Sequence, residues 1–300
     1  MCYILDITMD VKEQLSNYQQ ITEDAIRSLL PIAETRPARI HSAMRYSMEA
    51  GGKRLRPVLV QAVAELYGKA KESIPSAVAI ECLHTYTLIH DDLPGIDNSN
   101  LRRGRTTCHK QFDEATAILA GDALLTYAFE LLSKEYLETP GIAANLVLEL
   151  TTASGSQKLI GGQMEDILGE DKQLNADELD YIHLNKTATL ISAALVMGGI
   201  VGEASQEDLD KLREVGRLMG LTFQIVDDIL DVTSDPETMG KDTGLDAENH
   251  KSTYVTLHGL ESSREKAHAF TQKAISIARE LPGDTEFLVN LIGLMEQRLH

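Results

Sequence analysis

Apolar residues return at intervals of three and four along most of the chain. Ile80, Leu83 and Leu88, with Thr87 on their stripe, form one such run, and Leu212, Val215, Leu218, Met219, Ile225 and Ile229 form another. That spacing is the period of helices with one buried face. Sustained alternation of β-branched and aromatic residues, the mark of strands, is nearly absent, and only 5% of the residues are aromatic. The pattern predicts an all-α fold. Pro31, Pro37, Pro57, Pro75, Pro94, Pro140, Pro236 and Pro282 fall between the periodic segments, as expected of helices joined by short loops. Pro57 also suits a helix's first turn.

No Gly/Ser linker, low-complexity tract or shift of composition divides the chain, so a single domain over residues 1–300 is expected, with 1–10 as a poorly ordered extension. A 43% hydrophobic and 25% charged composition suffices for a large core and excludes a disordered chain or a fibre. Cys2, Cys82 and Cys108 show no CxxC spacing, which argues against a disulfide framework and a structural zinc, and makes the reducing cytoplasm the expected compartment. The first residues show no secretory signal. The weakly polar run Ala188–Gly202 is shorter than the ~20 residues that cross a bilayer. It reads as a buried helix, without stable membrane insertion. A net charge of −18 should repel nucleic acid and makes any local cluster of cations conspicuous.

Two aspartate clusters stand out, Asp91-Asp92-Leu93-Pro94-Gly95-Ile96-Asp97 and Asp227-Asp228-Ile229-Leu230-Asp231, each entered from a helical run. On a helix Asp227 and Asp231 share one face, flanked by Gln224 and Asp228, while Ile225 and Ile229 turn to the core. So many like charges call for a counter-cation. A solvated acidic helix end is the alternative. Asp91 and Asp97 would diverge on a straight helix, but Pro94 and Gly95 break it and can turn Asp97 back. An Asx-rich turn with Asn98, Ser99 and Asn100 explains Asp97 equally well. Hard oxygen ligands of this kind suit Mg²⁺ bridged to a phosphorylated substrate.

Two basic groups accompany them, Gly51-Gly52-Lys53-Arg54-Leu55-Arg56-Pro57 and Arg102-Arg103-Gly104-Arg105. Glycines admit an oxyanion to the backbone and arginine forks grip phosphate. Either group alone reads as a solvated surface. His84 lies two turns before Asp91 on the same face and is a donor to an anion or a core histidine. Glu81-Cys82-Leu83-His84 matches the Glu-x-x-His element of di-iron bundles, but without a second copy. Gly161-Gly162-Gln163-Met164-Glu165-Asp166, Lys186-Thr187, Gly240-Lys241-Asp242-Thr243-Gly244-Leu245-Asp246 and Lys251-Ser252-Thr253-Tyr254 follow in order.

In this order the motifs resemble the trans-isoprenyl diphosphate synthases, and among them the bacterial farnesyl diphosphate synthases. Stretches such as Leu88–Pro94 and Glu114–Leu124 strengthen the likeness, which covers the chain from about Val11 onward. The resemblance implies a single-domain bundle of long antiparallel helices around a deep central cavity, with the two aspartate clusters on opposite walls, in a homodimer. It implies three Mg²⁺ held by Asp91, Asp97 and Asp227, supported by Asp92, Asp228 and Asp231. Arg102, Lys186, Lys241 and Lys251 would meet an allylic diphosphate, and Lys53, Arg56, His84 and Arg103 isopentenyl diphosphate. Thr187 and Gln224 would steady a carbocation. Tyr86, or Thr87 nearer the Asp91 face, would floor the cavity and stop growth at fifteen carbons. Tyr86 as a plain core aromatic is the alternative.

Asn98-Ser99-Asn100 stands where many relatives carry more acids, and Arg105-Thr106-Thr107 replaces a common Lys-Pro-Thr. The competing readings are a geranylgeranyl diphosphate synthase, a class I terpene cyclase and a non-catalytic subunit of a heteromeric synthase. Lys53, Arg56 and Arg103 argue against the cyclase, and the two intact clusters against the subunit.

Overall fold

The computed structural model describes residues 9–170, 172–233 and 252–297, and over these the periodic segments are helices almost throughout. They gather into two compact units, one of residues 9–150 and 197–203, the other of 151–196 and 204–297.

The first unit runs through α1 (Met9–Leu29), α2 (Ala38–Met48), α3 (Leu55–Leu66), α4 (Ile74–Asp91), α5 (Cys108–Gln111), α6 (Glu114–Glu135) and the start of α7 (Pro140–Ser154). Its centre is α4, which packs on α6, α3, α1 and α2. Residues Ala77 to Leu83 are all buried, so this helix is closed in on every side. Each fully buried Val, Leu or Ile there contributes about 1.5–3 kcal/mol. Pro57 and Pro75 sit within the first turns of α3 and α4, where no intrahelical N–H is lost. Asp113 caps α6 by accepting from the Thr116 N–H at 2.7 Å. That bond and the Arg39 guanidinium hold its carboxyl down at about 2.

Strand signals were expected to be nearly absent, and one short hairpin is present. β1 (Leu101–Arg102) pairs antiparallel with β2 (Arg105–Thr106) around Arg103 and Gly104, both at positive φ, 53° and 73°. Two positive-φ residues make the two-residue hairpin turn. The Arg-Arg-Gly-Arg string is therefore a turn as well as a cationic run, and its glycine was the signal.

The second unit contains α8 (Leu159–Gly169), α9 (Ala176–Ile182), a π-helical segment His183–Ala188, α10 (Thr189–Val201), α11 (Gln206–Thr233), α12 (Tyr254–His258), α13 (Leu260–Ala278) and α14 (Glu286–Gln297). The unit boundary cuts α10 after Val196. α11 packs on α13, the π segment, α14 and α12. One core cluster joins Leu179, Ile225, Val226, Ile229, Leu230, Tyr254 and Ala267. The apolar run near Ala188 belongs to a longer helical stretch than the sequence suggested. Stretches 114–135 and 176–201 are both long and apolar enough to span a bilayer, but 72% of the second one's most apolar window is buried in the protein, as in a core helix.

Candidate active site

The first aspartate cluster is shaped by the break in α4. The Asp97 N–H donates to the Asp91 carbonyl at 2.8 Å and Asn98 N–H to the Leu93 carbonyl at 3.0 Å, so the chain turns back as Pro94-Gly95 predicts. Asp91 is half-buried, Asp97 exposed and Asp92 only 2% exposed. Arg102 grips both Asp92 oxygens, Nε at 2.8 and 2.9 Å and Nη2 at 2.7 Å. Burial pushes the Asp92 carboxyl up, and the Arg102 fork partly offsets it. Burial would lower the Arg102 guanidinium, but its bonds to Asp92 more than compensate and raise it. Asp92 and Arg102 pair with one another and tie β1 to the end of α4.

Beside them lies a cationic cluster braced by buried acids. Arg54 adopts a left-handed backbone, φ 48°, ahead of α3 and is wholly buried. Its guanidinium donates to Glu23 and Glu81, each at 2.7 Å, and to the Met48 carbonyl at 2.5 Å. Glu81, set aside as a di-iron element, is therefore the buried partner of this arginine. A buried pair of this kind loses several kcal/mol, about 3–5, if one side is removed. The bracing fixes Gly51-Gly52-Lys53 before it and Arg56 after it. Gly52, at φ 129°, lets the Arg103 guanidinium lie on the backbone, because a Cβ there would stand 2.7 Å from Arg103 Cζ. Arg103 donates to the Gly51 carbonyl and approaches Glu81 at 3.9 Å.

His84 sits amid these arginines. Burial first, then Arg56, Arg103, Arg102 and Arg54, hold its imidazole well below its ordinary pKa, so it is neutral at pH 7. Burial and the neighbouring Arg103 lower the Arg56 guanidinium to about 10 although Glu81 opposes them, and its buried Nε has no hydrogen-bond partner among the described residues. Lys53 is exposed beside them. Crowded cations with unsatisfied donors are what an anion site requires.

Tyr86 is 5% exposed, and its hydroxyl has no partner among the described residues. Burial, then Asp91, push that hydroxyl up to about 12. The ring meets His90 edge to face at 5.7 Å. His90 in turn lies 3.0 Å from the Ile118 carbonyl, over Gly121, where any side chain would collide with it. Thr87 donates back to the His84 carbonyl of its own helix at 2.7 Å. Of the two floor candidates, Tyr86 presents the bulk.

In the second unit α11 behaves as its period predicts. Ile225 and Ile229 are fully buried, and Asp227 and Asp231 are half-buried. Asp228 departs from the expected flanking position: it is 9% exposed and accepts from the Tyr254 N–H at 2.7 Å. The π segment presents Lys186 and Thr187. Thr187 donates to Gln224 Oε1 at 3.1 Å, and Lys186 Nζ lies 2.5 Å from Asp166 on α8. Such a widened turn is frequent at functional sites. It is seated closely, since a Cβ on Gly162 would collide with Asn185 and Lys186 and one on Gly220 with Ala188. That gives the Gly-Gly-Gln motif a packing reason. Asp166, His183, Lys186, Gln224, Asp227 and Asp228 line a cleft of about 180 Å³. Lys241 and Lys251 lie outside the described residues.

Among the described residues no three carboxylate, imidazole or thiol groups form a ready-made metal cage. The half-buried and exposed carboxylates of Asp91, Asp97, Asp227 and Asp231 fit Mg²⁺ in another way. This cation commonly takes one or two carboxylates and completes its shell with water and substrate phosphates.

The polyprenyl synthetase family model matches residues 37–292. The chain belongs to that family. Its enzyme class is that of a trans-prenyltransferase similar to farnesyl diphosphate synthases. A farnesyl diphosphate synthase of Micrococcus luteus is 46% identical over 96% of this chain and 99% of its own. The large subunit 1 of a chloroplastic heterodimeric geranylgeranyl pyrophosphate synthase of Arabidopsis thaliana is 44% identical over 89% of this chain and 73% of its own. Among solved structures, a geranyltransferase of Helicobacter pylori complexed with magnesium and isoprenyl diphosphate aligns with TM-score 0.78 and 38% identity, over 95% of this chain and 97% of that one.

Proposed function

We propose that this polyprenyl synthetase joins isopentenyl diphosphate head-to-tail to dimethylallyl or geranyl diphosphate, using Mg²⁺, three ions in all, and releasing mainly the fifteen-carbon product, as a homodimer. The observation that carries the reading is the cluster of arginines around neutral His84, where Lys53, Arg56 and Arg103 would hold the isopentenyl diphosphate and His84 would donate to it. Asp91, Asp97 and Asp227 would hold the cations, with Asp92, Asp228 and Asp231 in support. Arg102, Lys186 and Lys241 would meet the allylic diphosphate, helped by Lys251.

Bound Mg²⁺ would neutralise the charge that the departing diphosphate acquires. The chain's own part follows from its side chains. The allylic carbon–oxygen bond breaks with its electron pair leaving on the diphosphate. Lys186, held by Asp166, would meet that charge, and the Thr187–Gln224 pair would offer dipoles to the resulting carbocation. The isopentenyl double bond, oriented by its diphosphate in the arginine cluster, supplies the pair for the new carbon–carbon bond. Loss of one proton, to the released diphosphate, restores an alkene. Apolar walls would be needed to keep water from the cation.

The resemblance to a geranylgeranyl pyrophosphate synthase subunit supports a twenty-carbon product as the second reading. Purified protein given Mg²⁺, isopentenyl diphosphate and dimethylallyl, geranyl or farnesyl diphosphate tests both by chromatography. The expected product is farnesyl diphosphate from either shorter primer. Cyclic hydrocarbons, or no turnover by the chain alone, would overturn the reading.

A further inference from the structure

The segment Ser252-Thr253-Tyr254 is held more tightly than its place in a loop-to-helix junction requires. Ser252 Oγ accepts from the Leu174 N–H at 2.9 Å. Thr253 and Thr256 form a reciprocal cap on α12, with Thr256 Oγ1 accepting from the Thr253 N–H at 2.8 Å. Tyr254, fully buried, donates its N–H to Asp228 Oδ2 at 2.7 Å. Its hydroxyl donates to Asp180 on α9 and accepts from Lys266 on α13 at 3.3 Å. The ring is stacked on His183 of the π segment, centroids 5.4 Å apart and planes 20° apart, with Lys266 Nζ 4.6 Å from the ring centroid on α13.

We propose that Tyr254 is a positioning residue for the second aspartate cluster: its main-chain N–H fixes the Asp228 carboxylate, and its side-chain contacts to Asp180, Lys266 and His183 fix that N–H. The inference rests on reading the α11 carboxylates as one half of a Mg²⁺–diphosphate site. An anchored N–H leaves Asp228 one rotamer in the cleft beside Asp227, so the charge presented to a bridging cation is set before substrate arrives. His183, braced on the same ring, places the turn that carries Lys186 and Thr187. Three elements, α9, the π segment and α13, are thus registered on one aromatic side chain, and α11 on its main-chain N–H.

The test uses Tyr254→Phe, which keeps the ring and the main-chain donor but loses the Asp180 tether, and Asp180→Asn, which weakens the same bond from the other side. Calorimetry measures uptake of inorganic diphosphate with Mg²⁺ by the intact protein, and steady-state kinetics give KM for each substrate. Wild type is expected to bind, and each variant to bind about 10-fold more weakly. KM should rise for the allylic substrate and for Mg²⁺, stay unchanged for isopentenyl diphosphate, and the double variant should be no worse than either single one. Variants that bind like wild type overturn the inference, as does an equal loss for all ligands with a lowered melting temperature, which marks a purely structural bond. A wild type that takes up no diphosphate with Mg²⁺ removes the functional reading itself, and this inference with it.

Discussion

Tyr86 carries the most specific consequence of any single side chain. A helical turn rises about 5.4 Å, close to one isoprene unit, so a buried aromatic about one turn before Asp91 would limit growth by sheer volume. Its hydroxyl has no partner among the described residues, and its ring packs on His90, which suits a side chain acting through bulk. Replacing it should open the floor: Tyr86→Ala is expected to shift the product toward twenty carbons or more, read by chromatography, and an unchanged profile with activity retained removes Tyr86 from that role. His183 makes a separate prediction. Burial lowers its imidazole to about 4 from an ordinary 6.5, so the unfolded chain takes up a proton first as pH falls. Stability contributed by the neutral form is therefore complete above about 6.5 and is lost down to about 4, at most about 3 kcal/mol. In metal-free buffer His183→Phe, which keeps the stack on Tyr254, should lose less stability than wild type between pH 7 and 4.5 by urea unfolding. An equal loss in both contradicts the assignment.

At the scale of elements, the helical period of α11 was legible because one of its faces must leave water, and Ile225 and Ile229 lie where that period puts them. The turn at Pro94-Gly95 was legible for another reason, being written in local backbone chemistry. What stayed hidden depends on distant partners. Glu81 sits in an apolar run between Ile80 and Cys82, a signal of a buried counter-charge, but nothing local points to Arg54, reached only when α3 packs on α4. Asp166 and Lys186, Asp92 and Arg102, and Tyr254 and Asp180 are likewise pairs that packing makes. The π segment was invisible too, since its sequence reads as ordinary helix. Its widened turn is recognisable only from the close seats that Gly162 and Gly220 provide.

Across the whole molecule a net charge of −18 coexists with a cluster of arginines. Such contrast has a cost, met by the buried acids Glu81 and Asp92, and it makes sense for a protein that must gather a diphosphate despite its overall repulsion. The family model spans both compact units, and we propose that they act as one catalytic domain. We propose that both aspartate clusters are needed for the same ionisation. The kinetics of Asp91→Ala and Asp227→Ala, with isopentenyl and geranyl diphosphate and Mg²⁺, test this most directly. In each variant kcat is expected to fall by about 10³-fold while affinity for isopentenyl diphosphate changes far less, as for groups that act mainly on charge formed in the transition state. Near-normal turnover in either variant would contradict it.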